Sequence, residues 1–248
     1  MSKRASDRVP LHSAAVHRRL ADLIRFYTLM DRLERRIGGR PSLSVCHGRM
    51  QWPRRGVYFF LEDGEWRRDS GEGLRIVRVG THALTSSSQT TLWKRLSQHK
   101  GQAAGGGNHR SSIFRLLVGS TLIKGDASCP TWGMKNSAQR DVRALEYPME
   151  QEVSRIIGAM PFLWLEIDDA PGGKSKRAYV ERNSVALLSN LGKPPLDPPS
   201  GRWRGSACDR GKGLVRASGL WNQNHVGEGY EPAFLDVLEQ LVDGVGVR

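Results

Sequence analysis

Long apolar runs are absent from this 248-residue sequence. No stretch approaches the roughly 18 consecutive apolar residues of a membrane-spanning helix, so we expect no membrane partner. Residues 1–20 are basic and lack the apolar centre of a secretory signal. The three cysteines, Cys46, Cys129 and Cys208, form no CxxC pair and no disulfide framework. We therefore expect reduced thiols and a cytoplasmic location.

Acidic residues are scarce beside basic ones. The chain has 38 Lys+Arg against 25 Asp+Glu, a formal charge of +13. Residues 1–55 carry +9 and residues 193–216 carry +4, whereas residues 217–248 carry −4. Basic flanks suit a polyanion, because each neutralised phosphate releases condensed counterions. A solvated, solubilising surface is the alternative, so charge favours a nucleic-acid partner but does not identify one.

Strand and helix patterns alternate along the chain, which predicts the α/β (α+β) class. Seven Trp, six Phe and five Tyr provide aromatic side chains for a core. Residues 192–219 are rich in Pro, Gly and basic residues and read as a long irregular loop. The predicted strands are 56–61, 74–80 and 162–167, and the predicted helices are 12–37, 87–99, 108–117, 148–158, 175–191 and 231–243, the helix 175–191 being ended by Gly192.

Glu181 is the most informative residue of the sequence. In the helix 175–191 it shares an apolar stripe with Val185 and Leu188, so it should face the core. A buried carboxylate is costly unless it is paired or binds a metal. A structural ion pair with a core arginine and a metal-binding or catalytic role are both open.

Arg95 and His99 stand one helical turn apart and share a helix face. Surface Arg/His pairs are common, so this pair alone says little. Together with Tyr58, on one face of a strand, and Glu181, it offers a hydroxyl, a guanidinium, an imidazole and a carboxylate. Phosphodiester hydrolysis needs such groups to bind a metal, stabilise charge and move the proton of a water.

The ordered set resembles a GIY-YIG nuclease. Gly56-Val57-Tyr58, a second strand ending Arg78-Val79-Gly80, a helix with Arg95 and His99, and a later helix with Glu181 carry the resemblance. It implies a small three-stranded antiparallel sheet flanked by helices. It covers residues 53–192 as the nuclease core. Residues 1–52 would then be a basic N-terminal helical extension and linker, and 193–248 a basic loop and C-terminal helix completing the core.

The resemblance also implies roles for single residues. Tyr58 is similar to the tyrosine that positions or deprotonates the attacking water, and Arg95 to the arginine that contacts phosphate. His99 resembles the histidine of the homing and restriction branches. Glu181 resembles the carboxylate that binds one divalent cation, Mg²⁺ or Mn²⁺.

A distal asparagine closes the site of this family. Asn222 is the first candidate here, Asn224 is the second, and Asn190 is a weaker one.

One residue departs from the family pattern. The second motif normally supplies a tyrosine, and this chain has Arg78. An arginine can contact phosphate but is a poor proton acceptor. The general base is therefore expected to be Tyr58, assisted by His99 or His82, and Arg78 is read as a marker of the restriction-like branch.

The sequence thus predicts a Mg²⁺-dependent DNA endonuclease, restriction-like in type, with a homodimer as one route to double-strand cutting. The first alternative is a catalytically weak DNA-binding protein that keeps the fold. The second is a basic domain for RNA or protein, in which the four site residues would not converge. Trp203 either stacks on a base or holds its loop on the core. The expected DNA contacts are Lys100, Arg110, Arg115, Arg202 and Arg204.

Overall fold

The computed structural model describes residues 11–123, 129–134 and 137–246, with side chains from residue 14 onward. Residues 1–10 of the predicted basic extension lie outside the described residues. The elements, in chain order, are α1 (Leu11–Ile37), β1 (Gly56–Trp66), β2 (Leu74–Gly80), α2 (Leu92–Lys100), α3 (Ile113–Leu122), α4 (Arg140–Ala159), β3 (Phe162–Glu166), α5 (Lys176–Leu188), α6 (Leu214–Ser218) and α7 (Phe234–Asp243).

The three strands form one antiparallel sheet in the order β2-β1-β3, which confirms the α+β fold with a small three-stranded sheet. Tyr58, on the central strand, lies opposite Gly80 of β2 and Trp164 of β3. A Cβ at Gly80 would clash with the Tyr58 ring and hydroxyl, and one at Gly56 would clash with the Leu165 carbonyl. Both glycines are therefore required by close packing rather than by backbone flexibility.

Side chains of β1 alternate between two apolar layers. Phe59 packs edge-on against Phe26 of α1, with the ring centroids 6.1 Å apart. Phe60 packs on the opposite face against Phe114 of α3, with the centroids 5.4 Å apart. The sheet thus lies between an α1 layer and an α3 layer.

The basic helix α1 and the acidic helix α7 pack on each other. Buried side chains of both helices belong to one hydrophobic core with the sheet. Much of the positive charge of α1 is neutralised in this way. The ion pairs join Arg25 to Asp236 and Glu239, Arg32 to Glu239 and Asp243, and Arg36 to Asp243.

A buried ion pair joins α3 to α4. Arg115 Nε donates to the Glu150 carboxylate at 2.9 Å, and both side chains are almost completely buried. Glu150 also accepts hydrogen bonds from the backbone N–H and from the ring of His109. These contacts hold the pKa of Glu150 below its usual value although burial alone would raise it.

The segment after α6 lies along the free edge of β2. The Trp221 backbone N–H donates to the Val77 carbonyl at 2.7 Å. Asn222 bonds both the N–H and the C=O of Val79 through its side-chain amide. The indole N–H groups of Trp203 and Trp221 both donate to Glu62 of β1, each at 3.0 Å. Residues far apart in sequence thus complete the β2 side of the sheet.

Several element boundaries differ from the sequence prediction. Helix α2 begins at Leu92 because the Thr91 side chain caps it. Helix α4 begins at Arg140 and continues through Pro148. Helix α5 ends at Leu188, before Gly192, and the expected loop 192–219 contains α6. Among the described helices, none combines the length and apolar character needed to cross a membrane.

We expect Glu150→Ala to lower the free energy of unfolding by about 3–5 kcal/mol, because it leaves a buried guanidinium without its counterion. Glu152→Ala is the matched control on the same helix. Its partner Arg155 is largely exposed, so its loss should cost less than about 1 kcal/mol. Urea denaturation measures both variants. Equal losses would show that the buried pair contributes no more than the exposed one.

Candidate active site

A cleft of about 180 Å³ opens between the end of β2, helix α2, the start of α3 and helix α5. Strands β1 and β2, helices α2 and α5, and the segment that covers the β2 edge each supply a polar side chain to the lining of the cleft. Three of them belong to the constellation expected from the residues, and the other two were expected from the family resemblance; the structure brings all five to one place. They are Tyr58, Arg78, Arg95, Glu181 and Asn222.

The floor of the cleft is the hydroxyl end of Tyr58. Its ring is 1% exposed and lies across Gly80. The hydroxyl forms a 2.8 Å hydrogen bond with His99 Nε2. On the other side of the imidazole, Nδ1 forms a 2.7 Å hydrogen bond with the Ser112 hydroxyl. A chain of three side chains therefore fixes the position of the phenol.

His99 lies behind Tyr58 and does not reach the cleft surface. It is fully buried, and burial lowers its pKa well below the usual value, with Arg95, Arg78 and Arg115 adding to the shift. The ring is therefore neutral near pH 7 and carries one proton between its two hydrogen bonds. Its direct partner is Tyr58, so any role in catalysis acts through that hydroxyl.

Arg78 brings a buried positive charge to the cleft. Its guanidinium donates to the Trp221 carbonyl and lies 4.7 Å from the centre of the Phe114 ring. It also interacts with the Tyr58 hydroxyl and with the Glu181 carboxylate. Burial lowers the pKa of Arg78 from its usual value, but a guanidinium keeps its proton in proteins.

Arg95 supplies the second guanidinium. It is partly exposed and donates to the Gln98 side chain at 2.9 Å and to the Ser111 carbonyl at 3.2 Å. Both of these acceptors are uncharged. Neither Arg95 nor Arg78 forms an ion pair with a carboxylate of the described chain. Glu181 interacts with both guanidiniums without a direct ion pair, so two positive charges and one negative charge face the cleft.

Glu181 lies at the margin of the core instead of within it, which corrects the sequence expectation. The buried face of α5 is carried by neighbours such as Val180 and Val185, while Glu181 is partly exposed into the cleft. Burial by the surrounding wall raises the pKa of Glu181, and His225, Arg78 and Arg95 oppose that rise. No other described residue forms a hydrogen bond or an ion pair with this carboxylate.

A carboxylate of this kind fits a hard divalent cation. Within the described residues, no three His, Cys, Asp or Glu side chains gather to hold a metal together. Mg²⁺ needs no such cage, because it keeps several waters and uses one or two carboxylates with substrate phosphates. Glu181, which has no hydrogen bond or close ion pair among the described residues and lies beside a space for an anion, meets that requirement.

The three candidate asparagines lie in different environments. Asn222 lines the cleft, but both of its amide atoms are bonded to the Val79 backbone, so it holds the covering segment on β2. Asn224 is exposed and also lines the cleft. Asn190 lies elsewhere, bonded to Arg19 and Leu196. Of the three, Asn224 has the amide that a ligand could use.

The structure corrects two of the expected DNA contacts. Arg115 is fully buried against Glu150 and holds α3 on α4. Arg110 has a bidentate ion pair with Glu146, and its side chain is only 6% exposed. Neither guanidinium is available to a phosphate.

The other three expected DNA contacts remain predictions. Lys100 is partly exposed and donates to the Ser44 carbonyl at 2.9 Å. Arg202 and Arg204 are exposed on either side of Trp203. The Trp203 side chain itself is buried against Trp221 and holds the loop on the core.

His82 does not line the cleft. Its Nδ1 is 3.0 Å from the Thr90 carbonyl, and it is 5% exposed. Burial lowers the pKa of His82 to about 4, and Arg177, Arg55 and Arg95 contribute in the same direction. The sequence proposal that His82 assists the general base therefore gives way to His99, which contacts Tyr58 directly.

Sequence reasoning missed two residues that support the site. Ser112 caps α3 through the Arg115 backbone N–H and also bonds His99. Its position just before the apolar run of α3 was a usable capping signal. The Trp221 carbonyl, which holds Arg78, left no signal, because backbone groups look alike in every sequence.

A family model described as the GIY-YIG domain matches residues 17–247. Comparisons with curated proteins and with solved structures gave no match.

We expect the free energy of unfolding to fall as pH decreases from 6.5 toward about 4, the range set by the buried histidines. In this range the unfolded chain binds protons that folded His82 and His99 do not bind, so acid favours unfolding. Urea denaturation at stepped pH measures the slope. His82→Gln should reduce it, whereas His47→Gln, at an exposed position, should leave it as in the parent. A parental slope in His82→Gln would contradict the assignment.

Proposed function

The chain belongs to the GIY-YIG domain family, a nuclease-type domain, and from that premise we propose that it is a Mg²⁺-dependent DNA endonuclease. Mn²⁺ is the expected substitute for Mg²⁺. A restriction-like role is the finer form of the proposal. It rests on the Arg78 replacement and on the presence of His99.

One observation carries the proposal. Two guanidiniums and one carboxylate share a small cleft with a tyrosine hydroxyl, and none of the three charged groups forms a close ion pair with a described residue. An excess of positive charge in a partly desolvated cleft favours an anion, and more so when a cation is bound at Glu181. A phosphodiester supplies an anion of suitable size and charge.

The chemistry assigned to this chain is in-line hydrolysis. Arg95, the more exposed guanidinium, binds a non-bridging oxygen and stabilises the charge that grows in the transition state. Tyr58 accepts the proton of the attacking water as the new P–O bond forms and the bond to the leaving oxygen breaks. The leaving oxygen takes its proton from solvent.

Arg78 and His99 act on Tyr58. Arg78 places a positive charge beside the Tyr58 hydroxyl, so it stabilises the negative charge carried by that oxygen when it acts as the general base, without accepting a proton itself. His99, fixed by Ser112, orients the hydroxyl. A divalent cation held by Glu181 would supply Lewis-acid stabilisation at the phosphate.

DNA outside the cleft is assigned to Lys100, Arg202 and Arg204. One cleft cuts one strand, so double-strand cleavage requires a homodimer or two successive nicks.

The cytoplasmic location expected from reduced cysteines stays a prediction; Cys46, Cys129 and Cys208 are unpaired and buried. The catalytically weak DNA-binding alternative requires the same contacts between the described residues of the cleft as the nuclease proposal does. Only a measurement of turnover separates these two functions.

We expect Glu181→Gln to lower Mg²⁺-dependent nicking of a supercoiled plasmid by at least about 10³-fold, because the amide is a poor ligand for the cation. DNA retention in a gel shift should persist. Glu152→Gln, distant on α4, is the control and should nick like the parent. Retained nicking in Glu181→Gln would remove the metal assignment. Retention without nicking in the parent would favour the weak DNA-binding alternative.

We expect Arg78→Met to lower kcat by about 10²–10³-fold, since the developing phenolate loses its neighbouring charge. Arg78→Lys keeps the charge and should restore part of the rate. Thermal unfolding of each variant separates this effect from lost packing. Equal losses of kcat in the Met and Lys variants would contradict the role given to Arg78.

A further inference from the structure

Two exposed apolar side chains stand at the mouth of the candidate active site. Leu84 follows β2 and is 41% exposed, and Ile113 begins α3 and is 39% exposed. Most other side chains of the cleft are polar or charged. Apolar side chains do not bind phosphate, so the exposure of a leucine and an isoleucine beside a site for an anion needs a different explanation.

The segment that carries Leu84 is held in a rare conformation. Ala83 has a φ of 56°, in the left-handed region that residues with a Cβ seldom adopt. The Ala83 carbonyl accepts the Gly172 N–H at 3.1 Å, and the His82 carbonyl accepts a hydrogen bond from the buried Arg177. A strained residue held by such contacts is typical of functional sites. The backbone directly before Leu84 is thus fixed.

Ile113 is presented with equal rigidity from the other side. It is the first residue of α3, directly after the cap Ser112. Ser112 is bonded to His99, which is bonded to Tyr58. The position of the Ile113 backbone is therefore linked to that of the Tyr58 hydroxyl through two hydrogen bonds.

The size of the cleft limits what can enter it. Its volume of about 180 Å³ is below the about 300–1,000 Å³ of sites that enclose drug-sized ligands. A phosphodiester fits, but the bases on either side of it must stay at the mouth, where Leu84 and Ile113 lie. Base faces are apolar, and side chains such as Leu and Ile can insert between them and unstack a step.

We infer that Leu84 and Ile113 contact and unstack the bases that flank the scissile phosphate of duplex DNA. The inference rests on the proposed nuclease function and adds a substrate class to it. The favoured substrate is a duplex with a step that opens easily, such as a flexible pyrimidine–purine step or a mismatch. The adjacent guanidiniums of Arg78 and Arg95 favour DNA over an apolar protein partner, because they need an anion close to the same apolar pair.

Binding and unstacking are measured without cleavage in the Glu181→Gln protein. Two short duplexes of one sequence carry 2-aminopurine at the centre, one fully paired and one with a central mismatch. We expect fluorescence to rise on binding, and the mismatched duplex to bind about tenfold more tightly, since part of its unstacking is already done.

The test variant is the double substitution Leu84→Ala and Ile113→Ala in that protein. We expect the fluorescence rise to disappear and the preference for the mismatch to fall to about unity. Leu145→Ala is the matched control: Leu145 is 70% exposed on α4 and does not line the cleft. Its behaviour should equal that of the parent. Equal thermal unfolding of the variants verifies that the fold is intact.

The outcomes separate the inference from the proposed function. A double variant that unstacks and discriminates like the Glu181→Gln protein overturns the inference, whether or not the unsubstituted protein cuts plasmid DNA. An unsubstituted protein that unstacks DNA but never cuts it overturns the nuclease proposal, and the inference is then supported if the double variant loses the unstacking. Sedimentation of the free protein tests whether a second copy of the chain, instead of DNA, covers Leu84 and Ile113. Self-association lost in the double variant, without any effect on DNA, assigns the pair to a second copy and overturns the inference.

Discussion

The hydrogen bond between Tyr58 and His99 is the contact on which the site depends. It joins the central strand to α2, and the other side of the same imidazole joins α2 to the start of α3. A neutral ring is required for both bonds as described, and complete burial provides it. The phenol ring in turn allows no side chain at Gly80. The position of one hydroxyl is therefore set by three helical and strand elements at once.

Charge is distributed so that little of it is left unpaired inside the fold. The basic helix α1 is matched by the acidic helix α7, and Arg110 and Arg115 are matched by two glutamates of α4. Arg78 and Arg95 are instead bonded to neutral acceptors, and both line the cleft. The net charge of +13 thus says less about the partner than these two guanidiniums, which face the cleft without a close ion pair among the described residues.

Much of this arrangement could be predicted from the sequence, because it depends on local patterns. Alternation in β1 and β2 and the three-to-four residue spacing of α2 and α5 placed Tyr58, Arg95 and Glu181 on the right elements. Long-range pairing had no local signal. The sequence predicted Arg115 as a surface DNA contact, but in the fold it is paired with Glu150. It predicted Asn222 as a residue of the site, but its amide is bonded to the β2 backbone. Whether a polar side chain is available is decided by its distant neighbours.

The segment that covers β2 has a consequence for biosynthesis. The carbonyl that holds Arg78 belongs to Trp221, and the strand edge beneath it is bonded by the same stretch of chain. Both follow every other element that lines the cleft. During translation, those earlier elements can pair while this wall of the cleft is still missing. An emerging chain therefore has an open sheet edge and an arginine without its backbone acceptor until the segment after α6 has been made.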